Sequence, residues 1–140
     1  MSLPTPARLI SSAVARLAAF SNPRLDAEML FRGVSGFDRA TLLSRADEPV
    51  EPAVAERFET ALARRERHEP IQYILGTAAF WRDEFIVTPA VLIPRPDTET
   101  LIEAVAARLR PLPAPRLLDI GTGSGCIALS LLRELPAARA

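Results

Sequence analysis

Residues 116–126 read Arg-Leu-Leu-Asp-Ile-Gly-Thr-Gly-Ser-Gly-Cys. The apolar start of this stretch predicts a buried strand over residues 116–120, and the alternating glycines that follow predict a tight loop. A helix is then predicted from Cys126 to about Leu135. A strand, a glycine turn and a helix form the opening half of a βαβ unit, so the stretch predicts an α/β fold.

The glycine loop, residues 121–125, has the features of a ligand site. Glycine tolerates positive φ and lets a ligand approach the backbone. The helix N-terminus after the loop offers N–H groups that suit a carboxylate or a phosphate. The spacing G-x-G-x-G, followed by Cys126, departs from the dinucleotide fingerprint, and the lysine of a P-loop is absent. Asp119 would repel a pyrophosphate, whereas it can accept a hydrogen bond from the ammonium group of a methionine moiety.

These features favour S-adenosylmethionine over NAD as the ligand. Two other interpretations stay open at this point. The first is an NAD-dependent oxidoreductase, and the second is a glycine turn with a structural role only.

The first ~70 residues are predicted to form a small helical bundle. Apolar residues recur there at helical spacing, in segments that proline, glycine or polar residues separate. Gly33 is predicted to end the second helix, Asp38 to cap a short third helix, and the fourth helix to end near Arg67. The apolar positions that define these helices are Leu9, Ile10, Val14, Leu17 and Phe20; Leu25, Met29 and Leu30; Leu42 and Leu43; and Val54, Phe58, Ala61 and Leu62.

Two short β-prone runs follow the helical part. Residues 79–81 and 85–87 flank three charged residues, which predicts a β-hairpin. Further along, Asp97 or Thr98 is predicted to cap another helix. The chain is therefore divided into a helical domain (1–70), a hairpin linker (71–96) and the start of the α/β domain (97–140).

The composition excludes several classes of function. The 17 basic and 17 acidic residues cancel, so no overall field favours nucleic acid or an anionic membrane. The single cysteine excludes an intrachain disulfide framework and indicates a reducing compartment, and no apolar run approaches the ~18 residues of a membrane span. We expect a cytoplasmic monomer with no metal site and no direct contact with membranes or nucleic acid.

The sequence carries several motifs in an order typical of one enzyme family. They are Asn-Pro-Arg-Leu-Asp-Ala-Glu (22–28), Glu-Pro-Ile-Gln-Tyr-Ile-Leu-Gly (69–76), Phe-Trp (80–81), Leu-Ile-Pro-Arg-Pro-Asp-Thr-Glu (92–99) and Asp-Ile-Gly-Thr-Gly-Ser-Gly (119–125). Together they resemble the peptide chain release factor glutamine methyltransferases over nearly the whole chain. The most specific piece is Ile93 to Glu99, because the related ribosomal-protein glutamine methyltransferases usually depart from its Arg-Pro-Asp-Thr-Glu run.

The resemblance implies a helical domain that docks the release factor, a hairpin linker, and the first βα unit of a truncated Rossmann-like domain. It implies that S-adenosylmethionine methylates the side-chain amide nitrogen of the glutamine in the release factor's Gly-Gly-Gln motif. By position, Asp119 and the glycine loop would hold the methionine part of the cofactor, and Arg95 and Thr98 would lie near the cofactor pocket. The loop residues carried over are Gly121, Thr122, Gly123, Ser124 and Gly125.

The catalytic motif of that family is absent from this sequence. An amide nitrogen is a poor nucleophile, and the family grips it with an Asn-Pro-Pro-Tyr motif, whereas the only asparagine here is Asn22. The acidic residue expected about 20 residues after a glycine loop would also fall beyond Ala140. We therefore expect no catalytic residue in this chain and no methyl transfer by the chain alone. An adenine-N6 methyltransferase, whose exocyclic amine needs the same grip, and a non-catalytic binding fragment remain as alternatives.

Other conspicuous residues have simpler structural explanations. Cys126 at a helix N-terminus could be reactive, although a small residue packed behind the loop is the favoured interpretation. The arginines between residues 64 and 67 have glutamates nearby, which favours an exposed, salt-bridged helix face over a contact with the release factor or RNA. Phe80 and Trp81 could line the cofactor pocket, the domain junction or the core.

Overall fold

The computed structural model describes residues 3–140, so the first two residues of the predicted helical domain lie outside the described part. The chain divides into two compact units, the first ending at Leu75 and the second beginning at Gly76. The first unit is helical, and the second contains helices and a two-stranded antiparallel sheet. No helix within residues 3–140 is both long enough and apolar enough to span a membrane.

Five helices form the described part of the first unit, and the last of them lies in the segment that the sequence analysis assigned to the hairpin linker. Proline is the first residue of three of them, where its missing N–H costs no hydrogen bond. The predicted cap at Asp38 is confirmed, since its Oδ1 accepts a hydrogen bond from the N–H of Thr41 at 2.7 Å. The helices are α1 (Pro6–Arg16), α2 (Pro23–Ser35), α3 (Arg39–Ser44), α4 (Pro52–Glu66) and α5 (Ile71–Leu75).

The core of the first unit forms where the apolar faces of these helices meet. Phe31 of α2 lies against Phe58 of α4 with ring centroids 5.6 Å apart, and neither side chain is exposed. Burying a side chain of this size stabilises the fold by about 1.5–3 kcal/mol. Most of the predicted apolar positions line this core, whereas Leu25 and Leu43 are exposed because they lie on the solvent side of α2 and α3.

Gly33 does not end α2, so that prediction is wrong. The helix continues to Ser35 and ends at Gly36, whose φ of +74° is the left-handed cap that glycine favours. A Cβ at position 33 would meet the methyl carbons of Leu75. Close packing between α2 and α5 therefore accounts for this glycine.

The arginines of α4 form salt bridges as expected, although with acids outside their own helix, and Arg65 is largely buried rather than exposed. Arg65 Nε lies 2.8 Å from Asp26 Oδ2 on α2, and the two side chains are only 19% and 12% exposed. Arg64 binds Glu69, with Nε 2.8 Å from Oε2, and its Nη2 donates to the carbonyl oxygen of Tyr73 at 3.2 Å. The hydrogen bond from Arg64 holds the pKa of Glu69 below its ordinary value. These arginines connect the helices of the first unit.

The second unit begins with the predicted hairpin. Strand β1 (Thr77–Phe80) pairs antiparallel with β2 (Asp83–Ile86), so the loop consists of Trp81 and Arg82 and is shorter than the three charged residues predicted. A 3₁₀ turn (Pro96–Thr98) leads into α6 (Glu99–Leu109), and α7 (Cys126–Glu134) follows the glycine loop. The core residues of this unit are Phe80, Phe85, Ile102, Ala106, Cys126 and Leu131.

The buried strand predicted for residues 116–120 is not formed. The segment has one isolated parallel bridge, between Arg116 and Arg139, and the side chains of Leu118 and Ile120 are 85% and 87% exposed. A parallel strand needs neighbouring strands and helices on both faces, and residues 3–140 supply no second parallel strand of this kind. The described chain is therefore a mixture of helices and a small antiparallel sheet.

The ion pair between Asp26 and Arg65 leads to a testable prediction about the stability of the first unit. We expect Asp26→Ala to lower the free energy of unfolding by about 1–3 kcal/mol, because it leaves a largely buried guanidinium without its charged partner. Chemical denaturation followed by helical circular dichroism measures the change. Arg24→Ala is the matched control: it breaks an exposed pair with Glu28 one helical turn away and should cost about 0.5 kcal/mol or less. Equal losses in the two variants would contradict the assignment.

Candidate functional site

The backbone of the glycine loop takes a conformation that only glycine adopts without strain. The φ angles of Gly121, Gly123 and Gly125 are +77°, +57° and +79°. A Cβ added at Gly121 would have no atom within 4 Å, and one at Gly123 would have only the carbonyl oxygen of Gly121, at 3.9 Å. These positions are thus glycine because of their backbone angles. The absence of side chains also leaves the backbone of the loop open to a ligand.

Asp119 is connected to the loop by a hydrogen bond. The hydroxyl of Thr122 donates to Asp119 Oδ2 at 3.1 Å, and the N–H of Gly125 donates to the carbonyl oxygen of Thr122 at 2.9 Å. The first bond orients the carboxylate, and the second closes the loop as a turn. A partly exposed carboxylate therefore stands directly beside the open glycine backbone.

The start of α7 has free donors next to this carboxylate. Gly125 is the residue before the helix, and no side chain caps its first turn. The Oγ of Ser124 is buried and has no hydrogen-bond partner in the described part of the chain. Unpaired N–H groups and the positive end of a helix dipole suit an anionic group such as a carboxylate. The site thus offers an acceptor for a cation and donors for an anion side by side.

Cys126 packs behind the loop, which confirms the simpler of its two interpretations. Its thiol is free and buried, in the same cluster as Ile102 and Leu131. The residue therefore anchors the first turn of α7 in the core of the second unit.

The structure does not join Arg95 and Thr98 to the glycine loop. Within residues 3–140, no hydrogen bond or ion pair connects either residue to residues 121–125. The N–H of Thr98 donates to the carbonyl oxygen of Arg95 at 3.0 Å, which closes the 3₁₀ turn, and the guanidinium of Arg95 is exposed. The side chain of Thr98 does not cap α6, contrary to one of the two predicted caps, because the 3₁₀ turn runs directly into the helix.

One cluster near this segment escaped the sequence-based reasoning. The backbone N–H of Trp81 donates to Glu99 Oε1 at 2.7 Å, and its indole N–H donates to Glu134 Oε1 at 2.9 Å. Glu99 is the last residue of the Arg-Pro-Asp-Thr-Glu run, and Glu134 is the last residue of α7. No spacing rule relates these three positions, since they come together only through the hairpin loop.

Comparison with known proteins gives a consistent family. Residues 8–76 match the family model described as the PrmC N-terminal domain. A release factor glutamine methyltransferase of Moorella thermoacetica is 48% identical over 132 residues, which cover 93% of this chain and 47% of that protein. Proteins of the same name from Geobacter sulfurreducens and Escherichia coli are 46% and 41% identical over 119 and 127 residues. Those matches cover 84% and 91% of this chain, and 41% and 46% of the relatives. The chain thus spans about half the length of the curated relatives that it matches.

The positive φ angles of the loop glycines predict that replacing one of them by alanine destabilises the loop. We expect Gly121→Ala to destabilise the loop by about 1–2 kcal/mol, because an L-residue is strained at this φ. Hydrogen exchange of the Gly125 amide, whose N–H bonds to Thr122, should become faster. Gly76→Ala is the matched control, since Gly76 has a φ of +80° and equally open surroundings but lies outside the loop. Unchanged exchange at Gly125 in Gly121→Ala would contradict the prediction.

Proposed function

Because the chain belongs to the family of the release factor glutamine methyltransferases, we propose that it forms the N-terminal part of such an enzyme. The reaction is the transfer of a methyl group from S-adenosylmethionine to the side-chain amide nitrogen of glutamine in the release factor's Gly-Gly-Gln motif. Since release factors act in translation termination, the proposed place of action is the cytoplasm.

The geometry of the glycine loop is the observation that carries the cofactor assignment. Three glycines at positive φ leave the backbone open, Asp119 stands beside them, and the first turn of α7 has free N–H groups. In the proposal, the carboxylate of Asp119 accepts hydrogen bonds from the ammonium group of the cofactor. The N–H groups in the first turn of α7 donate to its carboxylate. When bound, the cofactor supplies an electrophilic methyl group on a sulfonium.

The substrate side of the reaction needs groups that this chain does not provide in the expected motif. An amide nitrogen is a weak nucleophile because its lone pair is delocalised into the carbonyl. Positioning by fixed hydrogen-bond acceptors offsets this weakness, and effective molarities of about 10⁵–10⁸ M are reached in well-oriented systems. We propose that the groups that hold the amide lie in the part of the relatives that this chain does not span.

The proposed organisation has three parts. The helical domain docks the release factor, the hairpin is a linker, and residues 97–140 begin a Rossmann-like domain. The match of residues 8–76 to the PrmC N-terminal domain supports the first part. The left-handed loop followed directly by α7 supports the third.

The reaction is tested with a chimera. Residues 1–140 are joined to the portion of the Moorella thermoacetica relative that follows the matched region, and transfer of a radiolabelled methyl group to a release factor is measured. We expect transfer by the chimera, none by the 140-residue chain, and none to a release factor whose Gly-Gly-Gln glutamine is replaced by alanine. Methylation of DNA without methylation of the release factor would favour the adenine-N6 alternative. Transfer by the 140-residue chain alone would contradict the assignment of the amide-binding groups to the part of the relatives that this chain does not span.

The role of Asp119 is tested by Asp119→Asn in the 140-residue chain. The asparagine keeps an oxygen acceptor for Thr122 but loses the charge, so we expect about tenfold weaker binding of S-adenosylmethionine. Binding is followed by the amide NMR shifts of the glycine loop, which remain measurable for a weak ligand. Asp47→Asn, an exposed acid of the first unit, should leave the affinity unchanged. Equal affinity in Asp119→Asn and the wild type would show that this carboxylate does not hold the ligand.

A further inference from the structure

Trp81 has a backbone conformation that is unusual for a large residue. It is the first residue of the two-residue hairpin loop, and its φ is +56°. Two-residue hairpin loops with positive φ at the first position favour glycine there, and an L-residue in this region costs free energy. A bulky residue in a strained conformation persists only where its surroundings over-determine it, and such residues cluster at functional sites.

Two charge-assisted hydrogen bonds hold Trp81, in addition to its packing against the apolar cluster of the second unit. Its backbone N–H donates to Glu99 Oε1 at 2.7 Å, and its indole N–H donates to Glu134 Oε1 at 2.9 Å. The side chain of Glu134 is only 11% exposed, and its carboxylate also lies 3.2 Å from Arg82 Nη1 and 3.8 Å from Arg110 Nη2. The carboxylate that accepts the indole N–H is therefore itself held by two guanidinium groups.

The two carboxylates belong to the two helices that follow the candidate cofactor residues in the sequence. Glu99 begins α6 directly after the turn that contains Thr98, and Glu134 ends α7, whose other end begins at the glycine loop. Arg95 and Thr98 make no hydrogen bond or ion pair with the glycine loop in the described chain. Trp81 thus connects the start of α6 with the end of α7, in addition to the ion pair of Arg110 with Glu134 and the packing of Ile102 with Leu131.

We propose that Trp81 is a positioning residue: it fixes α7 relative to the turn at residues 96–98, so that the glycine loop and this turn bind the same molecule of S-adenosylmethionine. The inference rests on the proposed cofactor site. A short helix such as α7 transmits a displacement from one end to the other, so a ligand at the glycine loop acts on the bond between Glu134 and the indole. Glycine at position 81 would relieve the strain, but it would remove the donor that reaches α7.

The wild-type chain offers a direct measurement, because Trp81 is its only tryptophan and gives one indole N–H signal in a nitrogen–proton NMR spectrum. S-adenosylmethionine is titrated into the chain while this signal and the amides of Gly121 and Gly123 are followed. We expect the indole signal to shift with the same midpoint as the glycine amides. If the glycine amides shift and the indole signal does not, the positioning role is wrong although the cofactor site stands. If none of these signals shifts, the cofactor site is wrong and this inference falls with it.

Variants separate positioning from simple packing. We expect Trp81→Phe, which keeps an aromatic ring but removes the indole donor, to weaken binding of S-adenosylmethionine about three- to tenfold. Glu134→Leu should have a similar effect. Glu134→Gln, which keeps an oxygen acceptor for the indole, should restore most of the affinity.

The control is a second contact between α7 and the hairpin that does not pass through Trp81. Arg133 forms an ion pair with Asp83 of β2, and Arg133→Gln should change the affinity by no more than about twofold, because an exposed pair contributes little. Helical circular dichroism of each variant verifies its fold. Wild-type affinity in Trp81→Phe, or an equal loss in Arg133→Gln, would overturn the proposal. If Trp81→Phe does not fold, the wild-type titration decides the question alone.

Discussion

In a parallel sheet, the backbone N–H and C=O groups of residues 116–120 would need a hydrogen-bonded strand on each side. The apolar side chains of this segment would need packing partners on both faces of the sheet. In the described chain the segment has one bridge, at Arg116, while Leu118 and Ile120 point into solvent. The glycine loop is therefore held firmly from one side only, where α7 packs through Cys126 and Leu131. The order of the glycine loop therefore depends on whether neighbouring strands and apolar groups pack against residues 116–120.

The loop itself obeys a more local constraint. Its three positive φ angles follow from glycine at alternate positions, and Thr122 closes onto Asp119 three residues back. Both features lie within a few residues of chain, so they form without a sheet. This explains why the glycine turn could be predicted from the sequence, whereas the strand predicted before it, which needs neighbouring strands, is not formed.

The outcome of the other sequence predictions follows the same division between local and distant causes. The cap at Asp38 and the hairpin depend on neighbouring residues, and both are present. Gly33 was misassigned because its neighbour Leu75 is 42 positions away. The hydrogen bonds of Trp81 to Glu99 and Glu134 span 18 and 53 positions. No helical or strand periodicity in the sequence could therefore predict them. The predicted position of Arg95 and Thr98 near the cofactor pocket stays a prediction.

The burial of Cys126 has a practical consequence for measuring the second unit. The chain has one thiol, and it lies in the core of that unit. An alkylating reagent can reach it only when this core opens, so the rate of labelling reports the free energy of local opening. The same reaction does not report opening of the core around Phe31 and Phe58, because that core contains no cysteine. A single chemical probe thus reads the stability of the second unit separately from that of the helical unit, without any added label.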